Sequence, residues 1–414
     1  MLAMNVAARC SQLGADARYL AAHPVDTYRA AALLLRGCPQ LATWVAGWAS
    51  REFPPQVLTG HALSAVRAQQ LHRITKGLAA QRADAVLSAA LTETLGEDYP
   101  ERVEHPVTIA ARHPSVAGFW QATQHRRRYA THTTNLSYGP NGRDNLLDIW
   151  RLPEAVPGRP APVLIQIPGG AWAISEKRGQ AYPLMSRLVE LGWICVSINY
   201  SRSPRNAWPA HIVDVKRAVA WVRENIAEYG GDPDFIAITG GSAGAHIGTL
   251  AALTANNPEL QPGFEHADTS VQAAVPYYGA YDLTETGHMC ELMLPFLEQF
   301  VMRARLAENP ALYESASPIR HAHPEAPPFF VLHGSDDAVI PAEQGRSFVA
   351  AMRSAGAATV AYAELPNAHH AFDVLATVRS QLVADAAAEF LGVAYGSYVR
   401  AAAKSLDICA APAG

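Results

Sequence analysis

Lysine is nearly missing from this 414-residue chain: Lys76, Lys177, Lys216 and Lys404 stand among 29 arginines. Acidic side chains slightly outnumber the basic ones, for a net charge of -4. That balance excludes the basic footprint of a nucleic-acid binder, so no nucleic-acid partner is expected. Charged residues of either sign reach only 17%, against 49% hydrophobic, which excludes a disordered chain. The five cysteines (Cys10, Cys38, Cys195, Cys290, Cys409) are scattered and lack CxxC spacing. Neither a disulfide framework nor a thiolate metal site follows from them, and no metal is expected. Long apolar runs are missing too. The most apolar early stretch, Ala30 to Ser50, is interrupted by Arg36 and Pro39 and falls short of a transmembrane segment. It reads as a packed or interfacial helix pair. With no signal-peptide pattern at the N-terminus, the expected location is cytoplasmic or peripheral to the cell envelope.

What is present has two textures. At about 100–200 residues per domain, the length allows two domains or one large domain with an addition. Residues 1–130 carry a net charge of +5 and the remainder -9. The first stretch reads as helical, with Ala-rich segments Ala62–Gln81 and Ala83–Leu95, and it carries no chemical motif. Pro100, Pro106 and Pro114 then mark an irregular passage. Beyond it, short apolar runs alternate with helical patterns. Thr133–Tyr138 and Leu146–Arg151 flank Gly139-Pro140-Asn141-Gly142 as an opening hairpin. Val163–Ile167, Trp193–Ile198, Phe235–Thr239, Val271–Tyr277, Phe329–His333 and Val360–Leu365 read as buried strands. Val215, Ala218, Val219, Val222 and Ile226 line one face of a helix that Gly230-Gly231 ends. Further helices are expected near Ala342–Arg353 and Thr377–Phe390. Such alternation predicts a mostly parallel sheet covered by helices on both faces, with the hairpin as an antiparallel edge.

Three fragments carry chemistry. Gly240-Gly241-Ser242-Ala243-Gly244 follows a strand and opens a helix, the context in which G-x-S-x-G lifts a serine into a strained, exposed turn. A serine hydroxyl needs a base, and the base needs an orienting partner. His333-Gly334-Ser335-Asp336-Asp337 places two carboxylates after one strand; Asn367-Ala368-His369-His370 places two imidazoles after the last. All three lie at carboxyl ends of strands, where open α/β sheets hold their sites. A fourth piece, Pro168-Gly169-Gly170-Ala171-Trp172, is a glycine loop able to approach a carbonyl oxygen. Paired with the N–H of Ala243, it would form an oxyanion hole.

Taken together, P-G-G-A-W, G-G-S-A-G-A-H, H-G-S-D-D-x-V-I-P and H-H-A-F-D resemble the α/β-hydrolase superfamily. Within it the chain is similar to the carboxylesterase and hormone-sensitive-lipase-like branch, especially actinobacterial esterases with a long N-terminal extension. The resemblance covers roughly Tyr129 to Leu391. It implies Ser242 as nucleophile, Asp337 as acid and His370 as base, with Gly169, Gly170 and Ala243 as oxyanion donors. It further implies a serine ester hydrolase for short- to medium-chain acyl esters of small molecules, working without a cofactor. Two positions depart from the branch: Pro168 stands where a histidine is usual, and Gly241 where an acid often precedes the nucleophile. The core is therefore also similar to arylformamidases, and amide hydrolysis by the same triad is the alternative. A non-catalytic binding module is a third reading, weakened by the presence of every triad member.

Plainer readings stand beside these. Asp336 would be a turn residue and His369 a loop residue facing solvent. His246, four residues after Ser242, reads as a satisfied, partly buried histidine, and His321-Ala322-His323 as a loop rather than a metal site. Trp172 is expected to line the substrate pocket, with Tyr278 a weaker candidate; the alternative for Trp172 is core packing. The expected organisation is an α-helical accessory region over 1–128, serving as lid or homodimer surface, and a catalytic domain over 129–414 with a small helical cap near 281–320.

Overall fold

The computed structural model describes residues 82–108, 125, 128–130, 133–153, 160–174, 176–285, 289, 293–374 and 377–410. The Ala30–Ser50 and Ala62–Gln81 readings lie outside them. Eight strands form one sheet: β1 (Leu136–Ser137), β2 (Leu146–Trp150), β3 (Ala161–Ile167), β4 (Ile194–Ile198), β5 (Gly231–Gly241), β6 (Ala273–Tyr277), β7 (Phe329–Gly334) and β8 (Val360–Leu365). Their spatial order is β1-β2-β4-β3-β5-β6-β7-β8. The opening hairpin is the antiparallel edge, with Leu136 facing Leu147, and β2 runs antiparallel to β4. Every pairing from β4 to β8 is parallel. The sheet is thus the mostly parallel one that the alternation of apolar runs predicts.

The strands are apolar on both faces because both faces are covered. Successive strand residues point to opposite sides. Accordingly Val163, Ile165, Ile236, Ile238, Phe329 and Val331 join one buried cluster. Their neighbours Leu164, Phe235, Ala237, Phe330 and Leu332 join the other. Helices α2 (Ala210–Asn225), α3 (Ala243–Leu253) and α4 (Ala342–Ser354) close the first face through Ile212, Val215, Ile247, Leu250 and Phe348. Helices α1 (Tyr182–Glu190) and α5 (Val378–Ala410) close the second through Leu184, Leu188, Val383 and Leu391.

A helix over 82–95, as expected from Ala83–Leu95, adds Leu87 and Leu91 to that second cluster. The stretch after it is stitched to the core by backbone bonds: Glu104 N–H donates to Gly392 O at 3.1 Å and Val107 N–H to Leu191 O at 3.0 Å. Trp193 Nε1 donates to His105 Nδ1 at 3.0 Å. Helix α5 runs well past Phe390, where a stop was expected. Between β6 and β7 lie the short helical pieces Met293–Phe296, Leu297–Val301, Pro310–Ser315 and Pro318–His321. Among the described residues no helix is long and apolar enough to cross a membrane.

Candidate active site

Four neighbouring strands deliver their next residues to one edge of the sheet. Ser242 follows β5 and begins α3 with φ 56 and ψ -120, a conformation that L-residues avoid unless the surroundings impose it. Its N–H donates to Tyr277 O at 3.0 Å, tying the turn to the end of β6. Asp337 follows β7, and His370 follows β8. Ser242 Oγ–H reaches His370 Nε2 at 2.9 Å, and His370 Nδ1–H donates to Asp337 Oδ2 at 2.7 Å. The other carboxylate oxygen, Oδ1, accepts from the N–H groups of Val339 and Ile340, both at 2.9 Å.

The electrostatics follow from burial and pairing. Burial alone would raise the Asp337 pKa, but His370 beside it and His333 behind it outweigh that and hold the carboxyl well below the usual range. An ionised Asp337 fixes which imidazole nitrogen of His370 carries the proton and leaves Nε2 open to the serine.

The neighbours of these residues fall elsewhere. His369 is bonded through Nδ1 to the carbonyl of Asp336, and the Asp336 carboxylate accepts from Ser335 Oγ. Asp337 and His370 are thus the pair joined carboxylate to imidazole, whereas His369 meets only the backbone carbonyl of Asp336. His321 Nε2 donates to Ser315 O, and among the described residues no cluster of three His, Cys, Asp or Glu side chains could hold a metal.

The glycine loop after β3 takes up positive φ at Gly170 (120), Ala171 (49) and Trp172 (58). Of its N–H groups, that of Gly169 donates to Gln180 Oε1 at 2.7 Å. The Gly169 N–H, expected as an oxyanion donor, is thus taken by the Gln180 side chain. Tyr200 O–H donates to Pro168 O at 3.1 Å, so Gln180 and Tyr200 brace a loop that lacks the usual histidine. Ala243, first residue of α3, has no carbonyl within the helix to receive its N–H. The helix start also favours negative charge at the serine.

The two residues expected at the substrate pocket, Trp172 and Tyr278, are both buried side chains. Trp172 is 1% exposed, packs in the core and donates its indole N–H to His246 Nδ1 at 3.1 Å. Tyr278 is 2% exposed and donates its O–H to the carboxylate of Asp373. Each side chain thus ends on a polar partner. Tyr278 also explains the glycine before the nucleophile: a Cβ on Gly241 would lie 2.7 Å from the Tyr278 oxygen and 3.0 Å from its ring. The Tyr278 ring rests 4.6 Å from the His370 ring. The sequence does not single out Gln180, and it shows Asp373 only as the last residue of H-H-A-F-D, with nothing local to mark its bond to Tyr278.

Comparison with known proteins bears on the whole chain. Residues 147–352 match the BD-FAE family. Esterase LipQ of Mycobacterium tuberculosis is 61% identical over 416 residues, covering 99% of both chains. The probable carboxylic ester hydrolase LipM of the same organism is 46% identical over 422 residues, covering 93% of this chain and 94% of that one. Among solved structures, a truncated carbohydrate esterase from gut microbiota superposes with a TM-score of 0.55 at 26% identity, over 65% of this chain and 98% of its own.

Proposed function

The chain belongs to the α/β-hydrolase family of carboxylic ester hydrolases, and from that premise we propose that Ser242, His370 and Asp337 are its catalytic triad, acting on short- to medium-chain acyl esters. The continuous hydrogen-bonded line from Ser242 Oγ through His370 to Asp337 carries the reading. His370 Nε2 takes the Ser242 proton as Oγ bonds to the ester carbonyl carbon. The carbonyl oxygen becomes an anion held by the N–H groups of Gly170 and Ala243, each such donor being worth about 10²–10³ in turnover. Collapse breaks the bond to the alkoxy oxygen, which leaves with the proton from His370. Water then attacks the acyl-Ser242 carbonyl, losing its proton to the same nitrogen, and the acid departs as Oγ recovers its hydrogen. Asp337 stays ionised throughout and stabilises the imidazolium.

We read the segment at 281–320 as a cap over this site. Residues 1–128 are read as an accessory region, serving as lid or homodimer surface, in a protein of the cytoplasm or the periphery of the envelope. Ser242→Ala tests the reading: hydrolysis of p-nitrophenyl butyrate falls by about 10⁶-fold, toward the background left by binding alone, with an unchanged melting temperature. A folded variant with wild-type turnover would sink it.

A further inference from the structure

We propose that His246 is a positioning residue that locks the oxyanion loop to the nucleophile helix; this rests on the ester-hydrolysis reading above. The loop needs a lock. Ala171 and Trp172 both sit at positive φ, a conformation L-residues avoid unless something holds them there. Two bonds hold Trp172 there: its carbonyl accepts from Ser203 N–H at 2.8 Å, and its indole donates to His246 Nδ1 at 3.1 Å.

An indole N–H can only donate, so His246 Nδ1 must be bare and the ring proton must sit on Nε2. That proton goes to Ala316 O at 2.7 Å. Burial pushes the imidazole pKa down to about 4, so the ring is neutral and keeps this tautomer at neutral pH. Trp172 and Trp208 flank it, with centroids at 5.2 and 5.6 Å. The backbone N–H of His246 donates to Ser242 O at 3.0 Å, which fixes the ring relative to the nucleophile. One residue therefore joins the loop after β3 and the 281–320 segment through its ring, and the serine turn through its backbone N–H. Its two ring nitrogens have separate duties: Nδ1 fixes the direction of the Gly170 N–H, and Nε2 ties down Ala316.

The duties separate by substitution, since an asparagine amide can occupy the place of Nδ1 and a glutamine amide that of Nε2. With the loop bond kept, His246→Asn holds kcat for p-nitrophenyl butyrate within about threefold. Losing one oriented donor, His246→Gln lowers kcat by about 10²-fold, with KM nearly unchanged. Trp172→Phe, which deletes the indole N–H and keeps a ring, lowers kcat likewise and decides the matter alone if either His246 variant fails to fold. Wild-type kcat in Trp172→Phe, or equal losses in the two folded His246 variants, overturns the proposal. Failure of the triad reading itself shows differently, as activity surviving in Ser242→Ala.

Discussion

At the residue scale, the carboxyl of Asp373 has an environment unlike that of Asp337. Burial raises its pKa to about 6, only partly offset by the Tyr278 hydroxyl and its own N–H. The folded protein thus holds a proton between about pH 4 and 6 that the unfolded chain has released. Stability is favoured at the acid end of that window and declines as pH rises through the folded value, by up to about 3 kcal/mol for a shift of this size. Asp373→Asn removes the decline while its amide oxygen still accepts from Tyr278. Its melting temperature should gain on the wild type between pH 4 and 6 and run parallel above; a gain equal at every pH would refute this. Residues of this kind were not legible in sequence. Ser242, Asp337 and His370 each sit in a local pattern at a strand end, whereas Asp373, Gln180 and His246 take their roles from partners 95, 11 and 74 positions away.

Helix α5 shows the same limit one scale up. The strands were readable because runs such as Val163–Ile167 need no partner information to declare burial. Helix α5 continues past the expected Thr377–Phe390 to Ala410, with Gly392 and Gly396 inside it. A Cβ at Gly392 would come within 2.8 Å of His105 and Val103, and one at Gly396 within 2.7 Å of the Arg102 carbonyl oxygen. These glycines make room for the 102–105 segment to cross the helix. Gly396→Ala, which in an open helix would gain about 1 kcal/mol, should instead destabilise by about 1–3 kcal/mol through that collision. Urea unfolding measures the sign, and a stabilised variant would mean that the crossing has slack.

On the scale of the whole molecule, a change of texture near residue 128 suggested an accessory part beside a catalytic one. The buried contacts do not respect that line: Leu87 and Leu91 lie in the same cluster as α1 and α5, and Trp193 of the core is bonded to His105. Composition reports where motifs stop, not where apolar surfaces meet. Removing residues 1–107 should therefore strip cover from Leu188, Trp193 and Leu391 and yield an aggregating chain or one with a markedly lower melting temperature. Leu91→Ala alone should cost about 2–5 kcal/mol. A truncated protein as stable as the full chain would show that this cover is dispensable.

The phenol of Tyr278 occupies the space that a side chain at position 241 would need. Any side chain before the nucleophile therefore requires that phenol to give way, so a change at Tyr278 is the opening step toward one at Gly241.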